Sequence, residues 1–274
     1  MLETIFTNKK PIIGMVHLGP LPGSSLYDKH KLGMDKILAK AVEEAKILET
    51  AGVDGVQVEN IWDIPFQKAE HVSSECIAAL AVAVAAVSKS VSIPVGVNCH
   101  FNAAEAALSC AIAGNAKWIR VFEWCNAFVS QVGFVDSIGA KVARKRTFLD
   151  ARDIVTMCDA NVKHGSHFII SDRSIAEQAH DIEQQGGDVV IVTGFETGMA
   201  PTAEKVREIK NAVSIPVILG SGVTLENAKE LLSEADGAIV GSWFKEGNNW
   251  KNPVNYDRTF AFMQKVKELR REMS

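Results

Sequence analysis

Val217-Ile218-Leu219-Gly220-Ser221-Gly222-Val223-Thr224 and, one helix later, Asp236-Gly237-Ala238-Ile239-Val240-Gly241-Ser242 decide how this 274-residue chain is read. Each is a short apolar run that ends in small residues. Backbone N–H groups can approach an anion closely only where side chains are small. Gly220, Ser221, Gly222, Gly241 and Ser242 are therefore read as a phosphate cup beside a helix N-terminus. Two tight turns using glycine for positive φ would spell the same letters. The pairing, the spacing and the place late in the chain favour the cup, because (β/α)₈ barrels commonly hold phosphate after strands seven and eight.

Working outward, short β-branched runs alternate with amphipathic helices, the pattern of a parallel sheet with crossover helices. Strands are expected at 11–17, 55–59, 94–99, 118–122, 153–158, 188–193, 216–219 and 237–240. Helices are expected at about 34–51, 74–88, 103–113, 141–149, 175–185, 202–212, 225–233 and 255–272. The stretch 124–139 has no sustained period and is read as a long loop on the rim of the site. Ser92-Ile93-Pro94 and Ser214-Ile215-Pro216 are nearly identical entrances to strands. An open doubly wound sheet competes, but no GxGxxG follows the first strand. The fold class is α/β, with residues 1–274 forming one (β/α)₈ barrel domain of the ribulose-phosphate-binding type.

Composition narrows the partners. Hydrophobic residues make up 47%, charged residues 23%, and the formal net charge is −4. There is no basic footprint for nucleic acid, and a small-molecule partner is expected. The longest apolar run, Cys76 to Val87, is an Ala-rich helix too short for a membrane span, so no membrane insertion is expected. Five cysteines fall singly with no CxxC, which suits a reducing, cytoplasmic setting. The Ala78–Ala86 face is compatible with a homo-oligomer or with burial against the barrel.

Barrels concentrate chemistry at the C-terminal ends of their strands, and here nearly every end carries a polar residue. His17 ends the first strand, Glu59 and Asn60 the second, Asn98 and His100 the third. Arg120 and Glu123 lie on or after the fourth. Asp159, Asn161, Lys163 and His164 follow the fifth, and Thr193 ends the sixth, with Gly194 and Thr197 in its loop. Arg120 shares a strand face with Trp118 and Phe122, so it is expected to meet Glu59, Glu123 or a substrate carboxylate. Lys163 suits either a Schiff base or neutralisation of an enediolate or phosphate. Asp159, His17, Glu59 and His100 could hold a divalent cation, but neither a first-strand HxH nor an HExxH is present and no metal site is assigned. The sequence requires no cofactor. Asn248–Pro253 reads as a structural turn.

Ile13-Gly14-Met15-Val16-His17-Leu18-Gly19-Pro20-Leu21-Pro22-Gly23, Glu59-Asn60 with Asp63-Ile64-Pro65-Phe66, Lys163-His164, Thr193-Gly194 with Thr197-Gly198, and the two glycine-ended strands resemble the BtpA/SgcQ family of TIM-barrel proteins. Cys158-Asp159-Ala160-Asn161-Val162 departs from the Ala-Asp-Val run expected before Lys-His, but Asp159 and Lys163 are retained. The resemblance implies either a role in photosystem I accumulation, as in one branch, or a sugar-phosphate setting, as in another. The cup makes the second physically natural. The leading expectation is an enzyme for a phosphorylated sugar or related metabolite, with isomerase or epimerase proton transfer by His17, Glu59, Asp159 and Lys163. Asn60, Asn98, His100, Arg120, His164, Thr193, Gly194 and Thr197 would contact substrate. A Schiff-base lyase working through Lys163 and a non-catalytic assembly or regulatory protein are the alternatives.

Overall fold

The computed structural model describes residues 1–272 apart from 195 and 197. The strands are β1 (Ile12–His17), β2 (Gly55–Glu59), β3 (Val95–Asn98), β4 (Trp118–Val121), β5 (Ala127–Ser130), β6 (Gly133–Asp136), β7 (Val155–Ala160), β8 (Val189–Val192), β9 (Val217–Leu219) and β10 (Gly237–Val240). The helices are α1 (Met34–Ala51), α2 (Ser74–Ser90), α3 (Ala104–Gly114), α4 (Gly139–Phe148), α5 (Ile175–Gln184), α6 (Ala203–Ala212), α7 (Ala228–Glu234) and α8 (Tyr256–Glu272). Eight strands close into a parallel barrel in the order β1-β10-β9-β8-β7-β4-β3-β2. This is the TIM barrel that the alternation of elements predicts.

Period-two alternation sorts the residues into two cores. Ile12 and Val16 of β1, Val56 and Val58 of β2, and Val95 and Val97 of β3 face the helices. Ile13, Met15, Trp118, Val155, Met157, Val189, Ile191, Ile218 and Ile239 fill the interior, with Leu2 and Phe6 packed among them. The N-terminal segment thus plugs the barrel, Phe6 meeting Trp118 at 5.4 Å between ring centroids. Trp118 needs space that only glycine leaves, since a Cβ at Gly96 would lie 2.0 Å from its Cε2. Its indole N–H donates to Gln57 Oε1 at 3.0 Å.

Side-chain caps start the helices that follow polar loops. Ser73 accepts from the Cys76 N–H, Thr202 accepts from the Lys205 N–H, and Ser174 forms a capping box with Glu177.

Three expectations need correction. The stretch 124–139 is not a plain loop, because β5 and β6 pair there as an antiparallel hairpin from Ala127↔Asp136 to Ser130↔Gly133. Its alternation is real but short: Phe128 and Val135 are buried while Val129 and Phe134 are exposed. Second, β7 runs to Ala160, so Asp159 belongs to the barrel wall and not to the loop after it. Third, regular α7 begins at Ala228, one turn after the reciprocal Thr224–Asn227 bonds of a capping box, and the Ala228 N–H already donates to the Thr224 carbonyl across that turn.

Candidate active site

The alternation that places apolar residues in the barrel interior changes character at its last inward position. One step beyond the interior layers of the same strands stand His17, Arg120, Asp159, Thr193, Gly220 and Gly241. Glu59 and Asn98 complete this upper ring from β2 and β3. His17, Glu59, Asn98, Arg120 and Asp159 are all buried. Buried charge is costly unless partnered, and the partners are local.

Arg120 donates from Nε to Asp159 Oδ2 and from Nη2 to Asp159 Oδ1, both at 2.8 Å. The expected Arg120 partners, Glu59 and Glu123, are displaced by Asp159 because β4 and β7 are adjacent, with Arg120 opposite Met157 in register. Asn98 Nδ2 donates to Glu59 Oε2 at 2.8 Å, and His100 Nε2 lies 3.0 Å from Glu59 Oε1. Burial opposes the charge on Glu59. His100, followed by His17 and Arg120, outweighs that penalty and holds the carboxyl well below the usual carboxylate range.

His17 Nδ1 lies 3.1 Å from the Trp250 carbonyl, which can only accept, so Nδ1 carries the proton and Nε2 keeps its lone pair. Burial, then the Lys245 charge, pushes the His17 pKa down to about 3. At neutral pH the ring is a hydrogen-bond acceptor toward the cavity. Lys163 differs from the rest of the ring in having no hydrogen-bond or ion-pair partner among the described residues. Burial, then the charge of Arg120, lowers its pKa to about 8.

A cavity of about 930 Å³ opens above this ring. It brings together His17, Glu59, His100, Arg120, Lys163 and His164 with Gly220, Ser221, Gly222, Gly241 and Ser242. The N–H of Gly220 is bonded to the Val192 carbonyl at 2.7 Å, so this residue contributes space. Among the described residues, the N–H groups of Ser221, Gly222, Gly241 and Ser242 have no backbone acceptor. Gly222 has φ +73° and its Cβ would meet Ala200 N at 2.1 Å. A Cβ at Gly220 would lie 3.3 Å from Arg120 Nη2, and one at Gly241 would lie 3.7 Å from His17 Cε1, so both side chains border the cup. Behind it, Lys245 donates to Glu44 Oε2 at 2.7 Å in a buried pair that ties the segment after β10 to α1.

Other expected contacts sit outside the cavity lining. Asn60 Oδ1 accepts from the His100 N–H, and its amide donates to Asp63. Asn98 reaches the cavity only through Glu59, and Asp159 only through Arg120. The Thr193 hydroxyl donates to the Asn161 carbonyl, and Gly194 packs against the Met199 backbone. Thr197 lies outside the described residues. Glu123 takes the Asn126 N–H, and burial raises its pKa to about 7.

The segment 248–253, read as a structural turn, instead supplies Asn248, Asn249 and Trp250 to the lining. Trp250 folds over His17 and packs on Trp62 at 5.0 Å. A tryptophan in the otherwise polar run Asn248-Asn249-Trp250-Lys251-Asn252 was the available signal. Among the described residues no group of three or more His, Cys, Asp or Glu side chains converges as a metal site.

A closed ring of eight parallel strands, outer helices and a polar pocket at the strands' C-terminal ends make this a TIM-barrel protein. The chain belongs to the BtpA family, whose model matches residues 8–268. It is 31% identical to the photosystem I biogenesis protein BtpA of Synechocystis over 264 residues, covering 96% of this chain and 90% of that one. An uncharacterised protein of Methanocaldococcus jannaschii is 36% identical over 96% of this chain and 97% of its own length. An uncharacterised Caenorhabditis elegans relative described as mitochondrial is 34% identical over 99% and 98%.

Among solved structures, the chain resembles geranylgeranylglyceryl phosphate synthase from Thermoplasma acidophilum in complex with sn-glycerol-1-phosphate. The TM-score is 0.62 at 17% identity, covering 96% of this chain and 95% of that one. Tryptophan synthase of Mycobacterium tuberculosis gives 0.61 at 18%, covering 94% and 93%. Among the described residues no helix is long and apolar enough to cross a membrane.

Proposed function

We propose that this protein is an enzyme acting on a phosphorylated sugar or related small metabolite. Phosphate is held by the N–H groups of Ser221, Gly222, Gly241 and Ser242, and Lys163 is the reacting group. The observation that carries the reading is an amine with a pKa of about 8 in the same cavity as four backbone N–H groups, none of them with a hydrogen-bond partner among the described residues. A base works best with a pKa near the operating pH, which Lys163 has and Glu59, held far below, does not. On this reading, proton transfer beside a carbonyl passes from the carboxylates to Lys163. Arg120 is placed to stabilise the developing oxyanion, and His17 to accept from a substrate hydroxyl. Five free cysteines, four of them buried, support a reducing cytoplasmic setting.

The test is a thermal-shift screen of sugar phosphates on the native protein and on Ser221→Asp, which places a negative charge in the cup. A phosphate that stabilises only the native protein is the expected result, and no shift from any phosphate overturns the reading. Borohydride reduction with dihydroxyacetone phosphate or xylulose 5-phosphate separates the chemistries: covalent mass on Lys163 marks Schiff-base lyase chemistry, and its absence with turnover marks proton transfer. The Synechocystis relative's name favours a second reading, an assembly or regulatory role. That role predicts that Lys163→Ala leaves biological activity intact.

A further inference from the structure

At about 930 Å³ the cavity lies at the upper end of the ~300–1,000 Å³ range of small-molecule sites. The strand order says how this space is arranged. In a closed ring of eight, strands four places apart face each other, so β10 faces β4 and β9 faces β3. The cup follows β9 and β10. After β3 and β4, across the mouth, stand His100, Phe101 and Phe122, and the β2–α2 connection lays Phe66 beside them. Phe66 and His100 stack at 4.5 Å with an interplanar angle of 16°, and Phe122 meets the His100 ring edge-on at 5.1 Å. By the same rule β1 faces β7, so His17 and Lys163 sit between cup and wall. The hairpin β5–β6 overhangs the aromatic side, where Phe128 packs on Phe101 at 6.2 Å and Gln131 reaches the lining.

A cup of N–H donors at one end, reacting groups in the middle and an aromatic wall at the other end describe a ligand with the same sequence of parts. We propose that the substrate is a phosphate monoester carrying a planar aromatic or heteroaromatic group at the end remote from the phosphate. That group lies along Phe66, with its polar edge toward Gln131, while Phe122, under the Arg120 guanidinium at 5.3 Å, backs the wall. Aromatic faces reward planar aromatic groups by stacking, a gain that a bare polyol with its hydrated hydroxyls matches less well. The inference rests on the phosphate reading of the cup and goes beyond it in naming what the other half of the cavity holds.

The experiment is titration calorimetry of the native protein, Phe66→Ala and Ser221→Asp with ribose 5-phosphate, adenosine 5′-monophosphate, uridine 5′-monophosphate and adenosine. The nucleotides are expected to bind about tenfold or more tighter than ribose 5-phosphate. Phe66→Ala should narrow that gap to about threefold and leave ribose 5-phosphate unchanged. Ser221→Asp should weaken every phosphate and spare adenosine. Phe66→Leu, which keeps the volume and loses the ring, serves if the alanine variant unfolds.

Ribose 5-phosphate binding as tightly as the nucleotides, with Ser221→Asp weakening both, overturns the wall while the cup stands. Phosphates bound no better by the native protein than by Ser221→Asp, or not bound at all, overturn the cup and the inference with it.

Discussion

Lowering the pH should destabilise this protein through His17 in particular. The ring is 7% exposed, it donates through Nδ1 to the Trp250 carbonyl, and burial together with the Lys245 charge takes its pKa from 6.5 to about 3. Because the folded value lies below the unfolded one, unfolded chains take up a proton at pH values where folded chains do not. Stability from this residue is therefore complete above about pH 7 and is lost as the pH falls from about 6.5 toward about 3. Between pH 7.5 and 4.5 the loss is about 2.7 kcal/mol, at about 1.36 kcal/mol per pH unit once the unfolded imidazole is protonated. His17→Gln keeps a donor for Trp250 and removes the titration. Urea unfolding of both proteins at the two pH values isolates the effect, since every other group titrates in both. The native protein should lose about 2.7 kcal/mol more than the variant. Equal losses would mean that His17 takes up its proton over the same pH range folded as unfolded, and the depression of its pKa by burial and the Lys245 charge would be refuted.

Two further outcomes follow from the same geometry. Lys163 should titrate near pH 8 when its amine is followed by NMR after reductive ¹³C-methylation, with assignment by the Lys163→Arg variant; titration close to the ordinary 10.5 would remove it as a base at neutral pH. Gly222→Ala forces a side chain onto a backbone with φ +73° and into contact with the Ala200 N atom. It should cost roughly 2 kcal/mol or more by chemical denaturation and abolish any phosphate-dependent thermal shift. A fully stable Gly222→Ala would show that this turn relaxes without loss.

Much of this architecture was legible because hydrophobic period is a local property. The eight barrel strands and the intervening helices carry it in their own residues, and the sharing of one strand face by Trp118 and Arg120 is a period-two statement, whereas Asp159 was read one residue beyond its strand. The hairpin at 127–136 was not legible because four residues per strand give only two turns of alternation, and its outward positions, Val129 and Phe134, are as apolar as its inward ones. Trp250 was missed for another reason. Nothing local distinguishes a tryptophan that caps a turn from one that folds over a histidine more than 200 positions earlier. The Arg120 partner belongs to the same class. Glu59, Glu123 and a substrate carboxylate were the candidates by position, and only the adjacency of β4 and β7 brings Asp159 to Arg120.

The pairing pattern in the upper ring bears on which groups can answer a substrate. A barrel mouth that buries Arg120, Asp159 and Glu59 would be costly if any of the three stood alone, because one uncompensated buried charge costs about 3–5 kcal/mol. Arg120 and Asp159 settle this by a two-point contact, and Glu59 by Asn98 and His100. A carboxylate so held gives up its partners before it can take a proton, which makes it a frame for the site and a poor base. Lys163 stands outside these pairs. Burial and the Arg120 charge act against its ammonium form while Glu59 and Asp159 sustain it, so the balance falls near neutrality. In the proposed reaction a carbonyl placed nearby meets an amine whose proton is easily gained and easily lost. Among the described residues, the paired charges of the mouth leave Lys163 without a hydrogen-bond or ion-pair partner.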